Sequence, residues 1–273
     1  MRFFCITHDG LQATNDTLVS ACEQRGIEAI MLSPDSDIGL PETHPIPGDL
    51  LYRAATDTAS DRLEKLLWQP GVATFYDEPF FECLYQGVMF ERHGLPMPRT
   101  VHAVSRDRTL LEKQVKRVGG FPVVLKVPGG EGGQGVIRVD SFAALFSLLD
   151  YLGPSPLLME YFEHVVAYRL IVVGKQVVAT EARCSGPGDF RSNAIGGAAL
   201  GAVEPSAQAV AIALKAASLM RVEFGGVDLL EDESGRLLLA ELNFPCYFAD
   251  QQRSSGIDIA GRMIDHLAAK LAS

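Results

Sequence analysis

The sequence predicts a mixed α/β and α+β protein, a small N-terminal α/β lobe followed by two α+β lobes. Three observations carry this. The chain opens strand–helix–strand, and that β-α-β order implies a parallel sheet. Gly94-Leu95-Pro96-Met97-Pro98 then punctuates the chain as a linker. Beyond it, short apolar strands alternate with helices and end in two strands broken by acids. The expected lobes are residues 1–84, 85–162 and 163–273.

In the first lobe a strand at 2–7 leads to Asn15 as helix N-cap, a helix to Arg25 and a stop at Gly26. Strands follow at 27–32 and 50–53, the latter ending in Arg53, then a helix at 58–69 closed by Pro70-Gly71 and a strand at 72–76. An apolar helix at 79–93 precedes the linker. The second lobe reads as a strand at 100–104, a helix at 109–118, strands at 121–127 and 136–139, a helix at 142–151 and a strand at 157–162. The third holds strands at 168–173 and 176–182, a loop to 201 and a helix at 206–221. Strands at 225–230 and 237–243 and a closing helix at 257–271 complete it.

Composition narrows the partners. With 47% hydrophobic and 21% charged residues over 273 positions, the chain can bury a sizeable core. A net charge of −10 argues against nucleic acid as the main partner, because that recognition rests on clustered Lys and Arg. Five scattered cysteines form neither a disulfide framework nor a Cys-x-x-Cys metal site, which points to a reducing, cytoplasmic setting. No signal-peptide pattern opens the chain, and no apolar run approaches the ~20 residues a membrane span needs.

The chemistry gathers near the C-terminus. A Ser234-Gly235 tip would set Asp228 opposite Glu241, and Asn243 would share their face by the period-two rule. Two carboxylates and an amide on an otherwise apolar hairpin repel unless a cation neutralises them, and hard oxygen ligands suit Mg²⁺. A surface hairpin with incidental acids fits these residues equally well. Upstream, five glycines fall between Gly129 and Gly135. Gly130, Gly132 and Gly135 match Gly-x-Gly-x-x-Gly, but a strand follows where a dinucleotide fold needs a helix. With Gly133 they read instead as a flap over phosphates, and Lys126 at the end of the strand before it would reach one. A flexible hairpin with a surface lysine is the alternative. The segment Leu158–Phe162 is an apolar strand with one acid, suited to gripping a flat base or to filling a core. Arg169, Arg183 and Arg191 form a basic cluster in an acidic chain, either solvated or placed to fork carboxylate and phosphoryl oxygens.

Taken together, the ordered set resembles the ATP-grasp superfamily and, within it, the RimK-like carboxylate–amine ligases. The matching stretches are Val124-Leu125-Lys126, the glycine flap, Met159-Glu160-Tyr161-Phe162, Arg169 with Val172-Val173-Gly174, and Asp189-Phe190-Arg191-Ser192-Asn193 with Gly196-Gly197. Gly226-Val227-Asp228, Glu241-Leu242-Asn243 and residues 256–261 continue the series. The resemblance spans roughly residues 85 to 270. It implies an ATP-grasp fold whose two later lobes clamp ATP. Lys126 and the flap would hold phosphates, and Glu160, Tyr161 and Phe162 the adenine. Asp228, Glu241 and Asn243 would bind two Mg²⁺ ions, with Mn²⁺ able to replace them. Arg169 would also serve the nucleotide. Arg183, Arg191 and Asn193 would attend an acyl phosphate, and Arg53 a substrate carboxylate. The implied activity is ATP-dependent ligation of a carboxylate to an amine, with an amino acid as one substrate and a small molecule, peptide or protein tail as the other. A homo-oligomer is expected.

Three positions depart from the family pattern. Cys83 stands where a lysine contacts ATP. Ala167 stands where an aspartate meets the ribose, with Glu163 the candidate substitute. Asn243-Phe244-Pro245-Cys246-Tyr247 replaces Asn-x-Ser-Pro-Gly. They leave open a nucleotide-binding protein without turnover, and a kinase-like use of the same site.

Overall fold

In the computed structural model, residues 1–34, 44–76, 86–127, 133–152, 156–186, 189–192 and 197–272 are described. Three sheets organise them. In the first, β1 (Arg2–Ile6) lies between β2 (Glu28–Leu32) and β3 (Leu50–Arg53), all parallel. The helix α1 (Gln12–Glu23) makes the crossover, and Gly26 ends it in the left-handed region at φ 64°. That helix starts three residues before the expected cap. Asn15 sits inside it and accepts a hydrogen bond from the Thr7 hydroxyl instead. After α2 (Thr58–Leu67), residues 72–76 make only isolated bridges, Leu50 to Ala73 and Tyr76 to Val222, where a fourth strand was expected.

The second sheet is antiparallel where it pairs and follows the order β4 (Thr100–Val101), β7 (Leu157–Glu160), β5 (Val123–Lys126), β6 (Val136–Val139). Helices α4 (Arg108–Arg117) and α5 (Phe142–Tyr151) cover it, and Leu111, Val123, Leu125, Leu145 and Leu158 form a core of their own. The helix between the first and second sheets, α3 (Gln86–Arg92), packs elsewhere: Phe90 and, after it, Leu95 join the core of the third sheet. The same helix also reaches the second sheet's side, where Glu91 meets His102 Nε2 at 2.9 Å.

The third sheet runs β10 (Gly197–Ala202), β9 (Gln176–Ser185), β8 (Val166–Val173), β11 (Phe224–Glu231), β12 (Leu237–Asn243). The edge strand β10 was expected as loop, because its small residues carry no period-two signal. On β8, Leu170 and Val172 face α6 (Ala207–Leu219), while Ile171 and Val173 face the N-terminal lobe. That second face shares a core with the first sheet through Phe3, Tyr52, Phe75, Phe224 and Phe248, whose rings meet at 5.2–5.8 Å wherever Phe224 or Tyr52 is a partner. The chain ends in two helices, α7 (Ala249–Ser255) and α8 (Ile259–Leu271), split at Gly256, where one was expected. No helix among the described residues is long and apolar enough to cross a membrane.

Side-chain caps fix several helix starts. The Ser206 hydroxyl accepts from the Ala209 N–H at 3.2 Å and heads the alanine-rich α6. Ser206→Ala should cost about 1 kcal/mol, read as a fall of roughly 2–4 °C in a thermal melt.

Candidate active site

The hairpin reaches its expected pairing by an unexpected route. Near its tip Glu231 pairs with Leu237 and Leu229 with Leu239, one residue out of the predicted register. Asp232 organises a longer turn, its carboxylate accepting from the Ser234 N–H, the Ser234 hydroxyl and the Arg236 N–H. A bulge between Asp228 and Leu229 then takes up the extra residue, Ala240, and brings Asp228 opposite Glu241.

From there four charges stand abreast across the sheet. Glu181 on β9 pairs with Arg169 on β8, Arg169 with Asp228 on β11, and Asp228 with Glu241 on β12. Directly opposed residues share a face, so this row lies on the same face as Ile171 and Val173, further along the strands. Gly226 makes room beside it: a Cβ there would meet Cys246 Cβ at 3.2 Å and Arg169 Cδ at 3.6 Å. The Arg169 guanidinium forks onto Asp228 at 2.7 and 2.6 Å, and that carboxylate pushes the Arg169 pKa up. Asn243 donates to Asp228 at 3.1 Å and to Glu241 at 3.4 Å.

The second sheet faces this row across a cleft. Lys126, at the end of β5, contributes the opposing charge, with Nζ 2.6 Å from Glu241 Oε2. Burial pushes the Glu241 carboxyl up, but Lys126, the Asn243 amide and Arg169 together hold it below the usual range. Glu160, at the other end of β7, accepts from the Arg99 backbone N–H and guanidinium at 3.1 and 2.9 Å. Tyr161 and Phe162 continue from it along the cleft wall. Arg138 lies over the Tyr161 ring at 4.7 Å, and Phe190 packs against the same ring at 5.9 Å.

Residues 189–192 close the other side. Arg191 forks onto Asp189 and also donates to the Gly133 carbonyl at 2.9 Å, which joins this loop to the glycine turn. Its guanidinium lowers Asp189 to about 2. Gly135 needs its φ of 75°, and a Cβ there would press within 3.1 Å of the Val127 carbonyl. Arg183 also lines the cleft and pairs with Glu181 at 2.7 Å.

The structure thus brings Lys126, Glu160, Tyr161, Phe162, Arg169, Arg183, Arg191, Asp228 and Glu241 around one cleft, with Asn243 and Gly133 bonded to its members. Gly130, Gly132, Asn193 and Cys83 lie outside the described residues. Two assignments need correction. Glu163 is exposed and does not line the cleft, so it does not stand in for an acid at Ala167, which does line it. Arg53 is not presented to a substrate. It is buried, with Nε 2.9 Å from Glu64 and a further nitrogen 3.3 Å from Asp61, and it also donates to the Ala55 carbonyl. A strand end that meets α2 in the N-terminal core spends its cation on that helix.

Sequence reasoning missed Glu181 and His164, and it quoted Asp189 and Ser192 within the Arg191 motif without giving them a role. The signal for Glu181 was its i,i+2 spacing to Arg183, which puts both on one face. Among the described residues no three His, Cys, Asp or Glu cluster as a metal nest. The donor set is two carboxylates and one amide that reaches both of them. Oxygen donors in that small number fit Mg²⁺, which keeps waters and takes phosphate oxygens for its remaining positions.

A family model described as a RimK-like ATP-grasp domain matches residues 86–267. Over 98% of its length the chain is 30% identical to a probable alpha-L-glutamate ligase of Serratia proteamaculans, covering 95% of that protein. It is 36% identical to a ribosomal protein bS6–L-glutamate ligase of Salmonella paratyphi B over 64% of this chain and 59% of that one. Its fold superposes with a TM-score of 0.73 on the ATP-grasp ligase PsnB complexed with minimal precursor, Mg and ADP, at 15% identity, covering 99% of this chain and 98% of the other.

Proposed function

The chain belongs to the RimK-like ATP-grasp family and is an ATP-dependent C–N ligase, and from that premise we propose that it joins a carboxylate to the amine of an amino acid through an acyl phosphate, releasing ADP and phosphate. The observation that carries this reading is the charged row on the third sheet with Lys126 facing it across the cleft. The names of the relatives make L-glutamate the first amino acid to test, with a peptide or protein tail, or a small molecule, as its partner.

The roles follow from placement. Tyr161 and Phe162, just past the end of β7, offer apolar faces and backbone to adenine, and the glycine turn at Gly133 and Gly135 offers backbone around phosphates. Asp228, Glu241 and Asn243 would hold Mg²⁺, which neutralises phosphoryl charge when bound. In the structure each cation of the cleft carries its own acid: Lys126 has Glu241, Arg169 has Asp228, Arg183 has Glu181 and Arg191 has Asp189. These pairs keep the cleft charges solvated by each other until a phosphate competes for Lys126 and the arginines. Lys126 would then turn to the phosphates and free Glu241 for the metal. Arg183 and Arg191 would draw charge off the transferring phosphoryl group and the acyl phosphate.

Mass spectrometry of products formed from ATP, Mg²⁺ and L-glutamate, alone and with a peptide mixture, tests the reading. An adduct of one glutamyl unit with stoichiometric ADP is expected. Ala167 favours a second reading, a nucleotide-binding protein with weakened turnover, since it brings no polar group to the cleft. Tight ADP binding without phosphate release for any carboxylate–amine pair would select it.

A further inference from the structure

One cleft-lining group has no part in the roles above. His164, in the link between β7 and β8, hydrogen-bonds through Nε2 to the Ser192 hydroxyl and through Nδ1 to the Phe162 carbonyl at 3.3 Å. A carbonyl only accepts, so Nδ1 carries the hydrogen. The neutral ring then accepts the Ser192 proton at Nε2. Ser192 is buried, sits next to Arg191 and is held from behind by Ser185 Oγ at 3.1 Å.

On the ligase reading, an amino-acid ammonium must lose protons as its nitrogen attacks, and the cleft must contain something to take one. The carboxylates there are committed: Glu160 to Arg99, Asp228 to Arg169 and Glu241 to Lys126. Arg183 is paired with Glu181, and Asp189 is tied to Arg191. Tyr168 is pushed up to about 12 by burial and by Glu231. Among the described residues of the cleft, His164 combines an Nε2 lone pair, engaged by the Ser192 hydroxyl, with no ion pair. We propose that His164 and Ser192 form the proton relay for the incoming amine, a role that rests on the ligase reading. The amine lone pair forms the C–N bond at the acyl carbon, and the C–O bond to phosphate breaks with its electron pair leaving on phosphate. Before attack the ammonium gives one proton to Ser192 Oγ as the Ser192 proton passes to His164 Nε2, which returns it to water; the second proton, shed once nitrogen has bonded, leaves with the phosphate. Burial lowers the His164 pKa, which keeps the ring unprotonated and ready at neutral pH.

Hydroxylamine, unprotonated at neutral pH, needs no such base and separates this role from a structural one. Wild type, His164→Gln and Ser192→Ala are compared with ATP, Mg²⁺ and, as carboxylates, L-glutamate and the peptide mixture, with either L-glutamate or hydroxylamine as acceptor. The Gln amide can keep both hydrogen bonds but takes no proton. Amide formation with L-glutamate should fall on the order of 100-fold in both variants, the usual weight of general-base help, while hydroxamate formation should fall less than about threefold. Parallel loss with both acceptors, or loss with neither, overturns the relay alone. A wild type that forms neither amide nor hydroxamate overturns the ligase reading and the relay with it.

Discussion

Glu241→Gln should lower Mg²⁺-dependent turnover of ATP at least about 1,000-fold, equivalent to roughly 4 kcal/mol of transition-state stabilisation, and leave the fold in place. The side chain keeps its shape and can still meet the Asn243 amide, so packing on β12 is preserved. What goes is the charge on which two partners depend. Glu241 is the carboxylate that Lys126 and the Asn243 amide both contact, and the same group is offered to the metal. Because Lys126 and Arg169 hold its pKa below the normal range, Glu241 is ionised throughout the neutral region, and protonation removes it only in acid. The half-exposed ion pair contributes little to stability, so the melting temperature should move by only a degree or two. Phosphate release and Mg²⁺ titration by calorimetry check both halves. Turnover within threefold of wild type would show that the row of charges is not a metal site.

Much of this architecture is legible in the chain, and the gaps have physical causes. The crossover at the N-terminus, the glycine turn and the long strands β8, β9, β11 and β12 announce themselves through apolar periodicity and punctuation. The pairing of Asp228 with Glu241 is also legible, but through a compensation: a wrong turn and an unseen bulge cancel. Strand β10 carries only Gly, Ala and Leu, and is held by its neighbour β9 rather than by any pattern of its own. His164 and Ser192 lie 28 positions apart, and nothing local in either segment signals the other. Arg53 shows the limit most clearly. A cation at the end of a parallel strand looks like a substrate ligand until the helix packed on that strand supplies Glu64.

That pair carries the second large effect. Arg53→Ala should destabilise the protein by about 3–5 kcal/mol, because it strands the Glu64 carboxylate in the core, while the KM values for both ligation substrates stay within about twofold. Glu64 is almost fully buried, and among the described residues Arg53 is the cation that pairs with it. Burial already pushes the Glu64 pKa up, more than the neighbouring arginine pulls it down. Removing the arginine leaves only the Tyr76 hydroxyl to oppose burial and raises it further. A carboxyl whose folded pKa lies above its unfolded value binds more protons in the folded state, so stability falls as pH rises through that window and recovers as pH falls. The deficit of Arg53→Ala against wild type should therefore be largest at pH 8 and shrink toward pH 5. Arg53→Ala with Glu64→Gln should regain part of the loss at pH 8 and lose the pH dependence. Thermal melts of the three proteins across that range decide it. A melting temperature unchanged by Arg53→Ala, together with a KM raised tenfold or more for the carboxylate substrate, would return Arg53 to the active site.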